Sequence, residues 1–372
     1  MPQLSPLTVD RHYSGLKEQH IFEGLVRLGN TRFQTHVRQP IDDSRLNLDA
    51  RLSSTTVYLD DLGIKIGDQP EKPAATKSDT PRTPVFDDEP FALDGLQSYD
   101  FSLNIKADKV SGDNVGFGPV NLDAALKNGR LRIKSADMRY RQGQLTFESV
   151  FDAKAAEPRA SLKIAAEDMN VKDILSYLHK PMQLEGELNL TADLQSRGSS
   201  SKQLAANLSG EFGVAVENGR IQRGVEMIAS DALELLFTAP AKDTYTDLNC
   251  MAGRLDFEAG VGAIKIMYLD TPGVRARGFG SINLAAETVD VVIEPESKRR
   301  FFRRSSPVRI TGQLNDPAVK KIPANEAAIL AGQLAVPIIA LPARALGILF
   351  LLIADDKDEN SPCLTEDLLK AE

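Results

Sequence analysis

The sequence predicts a mostly β protein, a long antiparallel sheet rich in hairpins, and three observations predict it. Between about residues 31 and 315, apolar side chains recur at every second position. In "YDFSLNIKAD", Tyr99, Phe101, Leu103, Ile105 and Ala107 fall on one face, and Asp100, Ser102, Asn104, Lys106 and Asp108 on the other. Turn pairs punctuate these runs at Asn128-Gly129, Gln142-Gly143 and Asn218-Gly219, the first and last being Asn-Gly, which tolerates the positive φ of a tight hairpin turn. Helical periodicity is rare, confined inside the chain to "VKDILSYLH" (171–179) and "GVEMIASDALELLF" (224–237), so this is no alternating β-α-β chain.

In chain order, residues 1–67 read as a short N-terminal β segment. The stretch "DQPEKPAATKSDTPRTPVFDDEP", 68–90, is Pro-rich, polar and unpatterned, and predicts a disordered linker. The main array follows over 91–323. Its period-two pairs are Leu131 and Ile133, then Leu145, Phe147 and Phe151, then Leu162 and Ile164, then Leu184, Leu188, Leu190 and Leu194. Further on come Phe212, Val214 and Val216, Leu255 and Phe257, Ile264 and Ile266, Ile282 and Leu284, Val289, Val291 and Ile293, and Val308 and Ile310. These make about fourteen strands.

Residues 324–372 predict an apolar helical segment with a polar tail. From Ala327 to Ala354 the only charge is Arg344, and Pro337 and Pro342 break the run. The clean piece from Ala345 to Ala354 spans about 15 Å as a helix, half of a bilayer core of about 30 Å. It is expected to dip into one leaflet or to cap a hydrophobic opening.

A sheet of this size must cover its apolar face. A second sheet or a layer of helices would do so, but only two internal helices are available; the third option is a ligand. At about 4.8 Å per strand, fourteen strands in one sheet give a strip of roughly 65 Å, long enough for several acyl chains.

Composition narrows the chemistry. The 372 residues are 42% hydrophobic and 26% charged, with no Trp, four His and two Cys. Net charge is −8 and the pI about 5.3, which argues against nucleic acid as a partner. No G-x-S-x-G elbow, H-E-x-x-H pair or P-loop occurs. "RGSSSK" (197–202) lacks the Gly-Lys of a phosphate loop and reads as a solvated loop, as do the acids Asp60-Asp61 and Asp87-Asp88-Glu89. A non-enzymatic protein without metal or cofactor is therefore expected. "SKRRFFRRSSP" (297–307) places Arg299, Arg300, Phe301, Phe302, Arg303 and Arg304 together, as a solvated hairpin loop, a membrane-surface contact or a nucleic-acid contact. Cys250 and Cys363 are either free buried thiols or one disulfide.

The run "LEGELNLTADLQSRGSSSKQLAANLSGEFGVAVENGRIQRGV", 184–225, resembles the C-terminal part of AsmA-like proteins: a G-x-L-x-L strand, an R-G-x-S loop, a short helix, then N-L-x-G-x-F and N-G-R-I. "DLNCMAGRLDFEAGVG", "DTPGVRARGFGSINLAAETVDVVIEP" and "SSPVRITGQLNDPAVK" follow in the order of that region, and "LNLDARLSSTTVYLDDLG" and "YDFSLNIKADKVSGDNVGFGPVNLDAALKNGRLRI" resemble it upstream. The resemblance covers most of residues 30–330 and rests on order and spacing, with no catalytic motif.

It implies a Gram-negative envelope protein, periplasmic and associated with the inner membrane, whose sheet curls into an open apolar groove and whose family is linked to phospholipid movement and outer-membrane assembly. The expected lipid-facing residues are Leu103, Ile105, Leu131, Ile133, Leu145, Phe147, Phe151, Leu162, Ile164, Leu188, Leu190, Phe212, Val214, Val216, Leu255, Phe257, Val291, Ile293 and Ile310, with phospholipid and a membrane surface as partners. The periplasmic setting favours a Cys250–Cys363 disulfide. "MPQLSPLTVDRHYSGLKEQH" holds no apolar signal or anchor run, so the sequence departs from the family pattern at its N-terminus, as a truncated start, a fragment or a degenerate member would. A scaffold for outer-membrane protein assembly, working through sheet edges, is the alternative; a glycan-processing β-enzyme ranks third.

Overall fold

The computed structural model describes residues 7–16, 19–41, 46–63, 84–112, 116–155, 157–177, 184–222, 245–298 and 306–334. Its contacts divide the chain into two units, residues 1–182 with 192–204, and residues 183–191 with 205–372.

The first unit is a meander. Strands β1 (Leu7–Leu16), β2 (Gln19–Leu28), β3 (Thr31–Pro40) and β4 (Leu46–Tyr58) pair antiparallel in sequence order. β4 then pairs in parallel with β5 (Tyr99–Ser111), which needs the long connection between them. Antiparallel order resumes through β6 (Gly116–Phe117), β7 (Val120–Lys127), β8 (Arg130–Tyr140), β9 (Gly143–Asp152) and β10 (Arg159–Asn170). Helix α1 (Asp94–Ser98) precedes β5, and α2 (Val171–Tyr177) follows β10 where helical periodicity predicts it. Strands β1 and β2 fall within the N-terminal β segment expected over residues 1–67, upstream of the clear two-residue period, because their alternation is diluted by His12, Glu23 and Arg27.

β11 (Leu184–Arg197) is divided, its first half in the second unit and the remainder in the first. After α3 (Ser201–Ala206) the second unit continues as an antiparallel meander of β12 (Ser209–Gln222), β13 (Tyr245–Glu258), β14 (Val261–Asp270), β15 (Val274–Asn283), β16 (Thr288–Ser297), β17 (Val308–Gln313) and β18 (Asp316–Lys321). Helix α4 (Ala324–Leu334) closes the described chain. The protein is mostly β, with eighteen strands among the described residues. The predicted helix at 224–237 and the apolar run beyond residue 334 lie outside the described residues.

Turn chemistry holds at Asn128-Gly129, with φ of 52° and 76° between paired Lys127 and Arg130. At the second site the central residues are Arg141 and Gln142, since Tyr140 pairs with Gly143. Asn218-Gly219 is not a turn. β12 runs straight through it, Glu217 pairing with Cys250 and Gly219 with Leu248. The positive φ of Asn218 (50°) serves instead a close approach: a Cβ on Gly219 would collide with the Glu185 carbonyl, and Asn218 Nδ2 donates to Glu187 Oε2 at 2.8 Å.

Two other local readings change. Asp61 is 4% exposed, not solvated, and its Oδ2 accepts from Asn30 N, Thr31 N and Thr31 Oγ1, each at 2.8 Å, pinning the β2–β3 turn to the segment after β4. In "RGSSSK", Ser200 is wholly buried and caps α3 by accepting from Gln203 N at 3.2 Å. The end of the expected linker is placed as well, because Asp87 and Asp88 find partners at the start of α3.

Candidate functional site: the apolar strips

Cross-strand partners share a face, so the register shows whether predicted positions converge. In the first unit they form four rows across β4, β5, β7, β8, β9 and β10. One row runs Leu48, Phe101, Leu126, Leu131, Phe151, Ala160, and the next Ala50, Leu103, Ala124, Ile133, Ser149, Leu162. The third is Leu52, Ile105, Leu122, Ala136, Phe147, Ile164, and the fourth Ser54, Ala107, Val120, Met138, Leu145, Ala166. All nine predicted residues of this unit fall in these rows. Register shifts between Asp123 and Ala124 and between Ile133 and Ala136 keep the rows apolar where strict alternation would have broken them.

The middle of this strip is half-exposed: Leu103, Ile105, Ile133, Phe147, Leu162 and Ile164 are neither buried nor fully open. Val57, Leu59, Ala107 and Val110 bury themselves with Phe33, Leu62, Phe117 and Val120 at the fourth-row end. The opposite face is polar, with Glu23, His36, Arg51, Asn104 and Asp123 aligned across five strands and His36 Nδ1 2.7 Å from Glu23 Oε1.

The second unit carries its own strip. Phe212 pairs with Leu255 and Leu255 with Ile264; Val214 pairs with Gly253 and Gly253 with Met267; Val216 pairs with Met251. The face continues through Ile282 and Val289, Val291 and Ile310, and Ile293 and Val308. Large residues here face glycines: Phe257 opposes Gly262, Val291 opposes Gly280 and Ile293 opposes Gly278. The Phe257 ring lies over Gly262 and the Met267 side chain over Gly278, so any Cβ at either glycine would strike them. Ile266 departs from the expected face, because a register shift between Arg254 and Leu255 puts it with Cys250, Ala252 and Tyr268. Val216 and Val291 are 1% and 3% exposed and offer little surface. Leu188 and Leu190 are half-buried on β11.

On the other face of this unit, Ala327 and Leu330 of α4 pack with Ile322 on Val292 and Phe279. Arg309 grips Asp290 through two bonds of 2.8 and 2.7 Å, which raise its pKa above the ordinary guanidinium range. Asp270, 8% exposed, takes Asn249, Arg275 and Lys298. Burial, then the Asp270 charge, pushes Tyr268 up, so it stays a neutral phenol. These groups are paired structural contacts and present no nucleophile beside a base.

Arg299 to Arg304, with Phe301 and Phe302, lie outside the described residues, as does Cys363. Cys250 is 2% exposed, and no described cysteine is free. Among the described residues no helix is long and apolar enough to cross a membrane, and no group of three or more His, Cys, Asp or Glu is placed to hold a metal. Periodicity alone missed Ala50, Leu52, Leu122, Ala124, Leu126, Ala136 and Met138; "VNLDAAL" carries the signal for three of these strip positions.

No solved structure matches the chain. Among curated proteins of Escherichia coli (strain K12) it is similar to AsmA family protein YhjG, 23% identical over 372 residues, 96% of this chain and 53% of that protein. It is also similar to Protein AsmA, 25% identical over 238 residues, 59% of this chain and 38% of that protein. The chain thus spans about half or less of the length of these relatives. The AsmA family model matches residues 13–267, a span that takes in all four rows of the first strip and the opening strands of the second, and the chain belongs to the AsmA family.

Proposed function

We propose that this chain is a non-enzymatic envelope protein that binds phospholipid along its apolar strips and conducts it, contributing to outer-membrane lipid homeostasis and assembly. The observation that carries the reading is the first-unit strip: four rows in register on six strands, apolar except at Ser54 and Ser149, with the large side chains along the middle half-exposed. Exposed apolar surface of that extent is a liability unless something covers it. Membership of the AsmA family supports the envelope setting, the periplasm at the inner membrane.

A strip suits conduction because it needs no bond chemistry. Each buried methylene contributes about 0.8 kcal/mol, so a sixteen-carbon chain half-covered in the trough gains on the order of 6 kcal/mol. The gain is spread over many equivalent positions, which holds a lipid and lets it slide. The segment Arg299–Arg304 supplies the membrane-surface contact, its cations meeting anionic headgroups while Phe301 and Phe302 enter the interface; Lys298 before it is tied to Asp270 at 2.7 Å.

Native mass spectrometry of the full chain, purified with its co-isolating lipids, tests the reading. Stoichiometric phospholipid is expected. Its absence overturns lipid conduction and favours a scaffold for outer-membrane proteins.

A further inference from the structure

Residues 84–93 form a strap fastened at the end of the first-unit strip. Lys202 N donates to Asp87 O at 3.0 Å and Phe91 N to Ser199 O at 2.8 Å. Asp87 N donates to Ser201 Oγ at 2.8 Å, Ser200 Oγ donates to Asp88 Oδ1 at 3.2 Å, and Lys202 Nζ lies 3.6 Å from Asp88 Oδ2. One of the strap's two aromatic rings goes to the strip: Phe91 meets Phe151 edge-on, centroids 6.5 Å apart. Phe151 belongs to the first row, where Leu126 is wholly buried and Leu131 and Phe151 itself are half-buried. Helix α1, continuing from the strap, lies against the β7–β8 turn, since a Cβ on Gly129 would touch Gln97.

We propose that this strap is an intrachain plug that occupies the first-row end of the strip through Phe91 and is displaced when an acyl chain enters there. The inference rests on the lipid-conducting reading and adds where entry is controlled. The seat is built for release. Phe91 is 37% exposed, the Asp87–Ser201 and Asp88–Lys202 contacts face solvent, and such contacts belong to the low-stability end of a fold. The fourth-row end differs, because it is closed by side chains of the strands themselves and the turn after β4. One end of the strip is therefore sealed and the other latched. Apolar surface explains the competition: a phenyl ring and an acyl chain make the same non-directional contact with Phe151, so one excludes the other.

The test uses the full chain, a fluorescently tagged phosphatidylethanolamine as probe, and hydrogen exchange at the Phe91 and Lys202 amides, which are protected only while the strap is seated. Probe binding is expected to speed exchange at both amides, with amides inside β8 and β9 unchanged. Phe91→Ala is expected to tighten probe binding about threefold to tenfold, the scale of one aromatic pair; Asp88→Lys, which opposes Lys202, is expected to act in the same direction with Phe91 retained. Probe bound with strap amides equally protected, and affinity unmoved by either variant, overturns the plug and leaves the conducting reading standing. No probe bound by the natural chain or by either variant overturns both.

Discussion

Phe147 stands directly opposite Ile164 across the β9–β10 ladder, and Thr146, one residue back, stands opposite Ala165 on the reverse face. Neighbours in sequence thus face different surroundings. Phe147→Glu and Leu103→Glu are expected to lower bound phospholipid sharply, since a carboxylate pressed against an acyl chain costs several kcal/mol. Thr146→Glu and Asn104→Glu should leave lipid content unchanged. Lipid counted by mass spectrometry at matched folding checks this, and equal loss from both sets would show that the strip is not the working surface.

Asp61→Ala is expected to lower stability by about 2–4 kcal/mol, because three donors at the β2–β3 turn lose their acceptor inside the protein. Asp61→Asn, which keeps one carbonyl oxygen, should cost less. Thermal unfolding of both variants gives the order.

Gly219→Ala puts a methyl against the Glu185 carbonyl where β11 approaches β12. The expected loss is about 1–3 kcal/mol, whereas Gly95→Ala, with open space around its Cβ, should change stability little. Denaturant midpoints for the pair make the comparison.

A disulfide between Cys250 and Cys363 is expected in protein isolated under oxidising conditions. It would close a loop of about 110 residues, nominally worth about 4–5 kcal/mol. Peptide mapping without reductant should recover the linked pair; quantitative alkylation of both thiols in unreduced protein would rule it out.

Much of the strip was legible because a two-residue period puts a strand's apolar set on one face whatever its partner is. Leu131, Phe151 and Leu162 could be assigned without knowing which strands pair. Features set by a distant segment were not legible. Ile266 changes face because of a register shift that its own run, "AIKIMYL", does not display. Asn218-Gly219 carries the residues of a tight turn, yet its positive φ answers the approach of β11, about thirty residues upstream. Asp61 looks like Asp60 in sequence, and only the donors of Asn30 and Thr31 separate a buried anchor from a solvated acid. The strap was hidden in proline-rich sequence because its partners, Ser199 to Lys202, lie more than a hundred residues away.

Strand-to-next-strand pairing within each meander has a consequence for how such chains vary. A repeat architecture in which each element touches only its neighbours gains stability increment by increment, and any module whose edges match can be inserted without redesign elsewhere. Here the module is a hairpin, about 10 Å of sheet. Adding or deleting one would lengthen or shorten the sheet across its strands while the four-row width of the first-unit strip stays the same. A family built this way can diverge by a change of span, with each inserted hairpin required only to keep its apolar side in line.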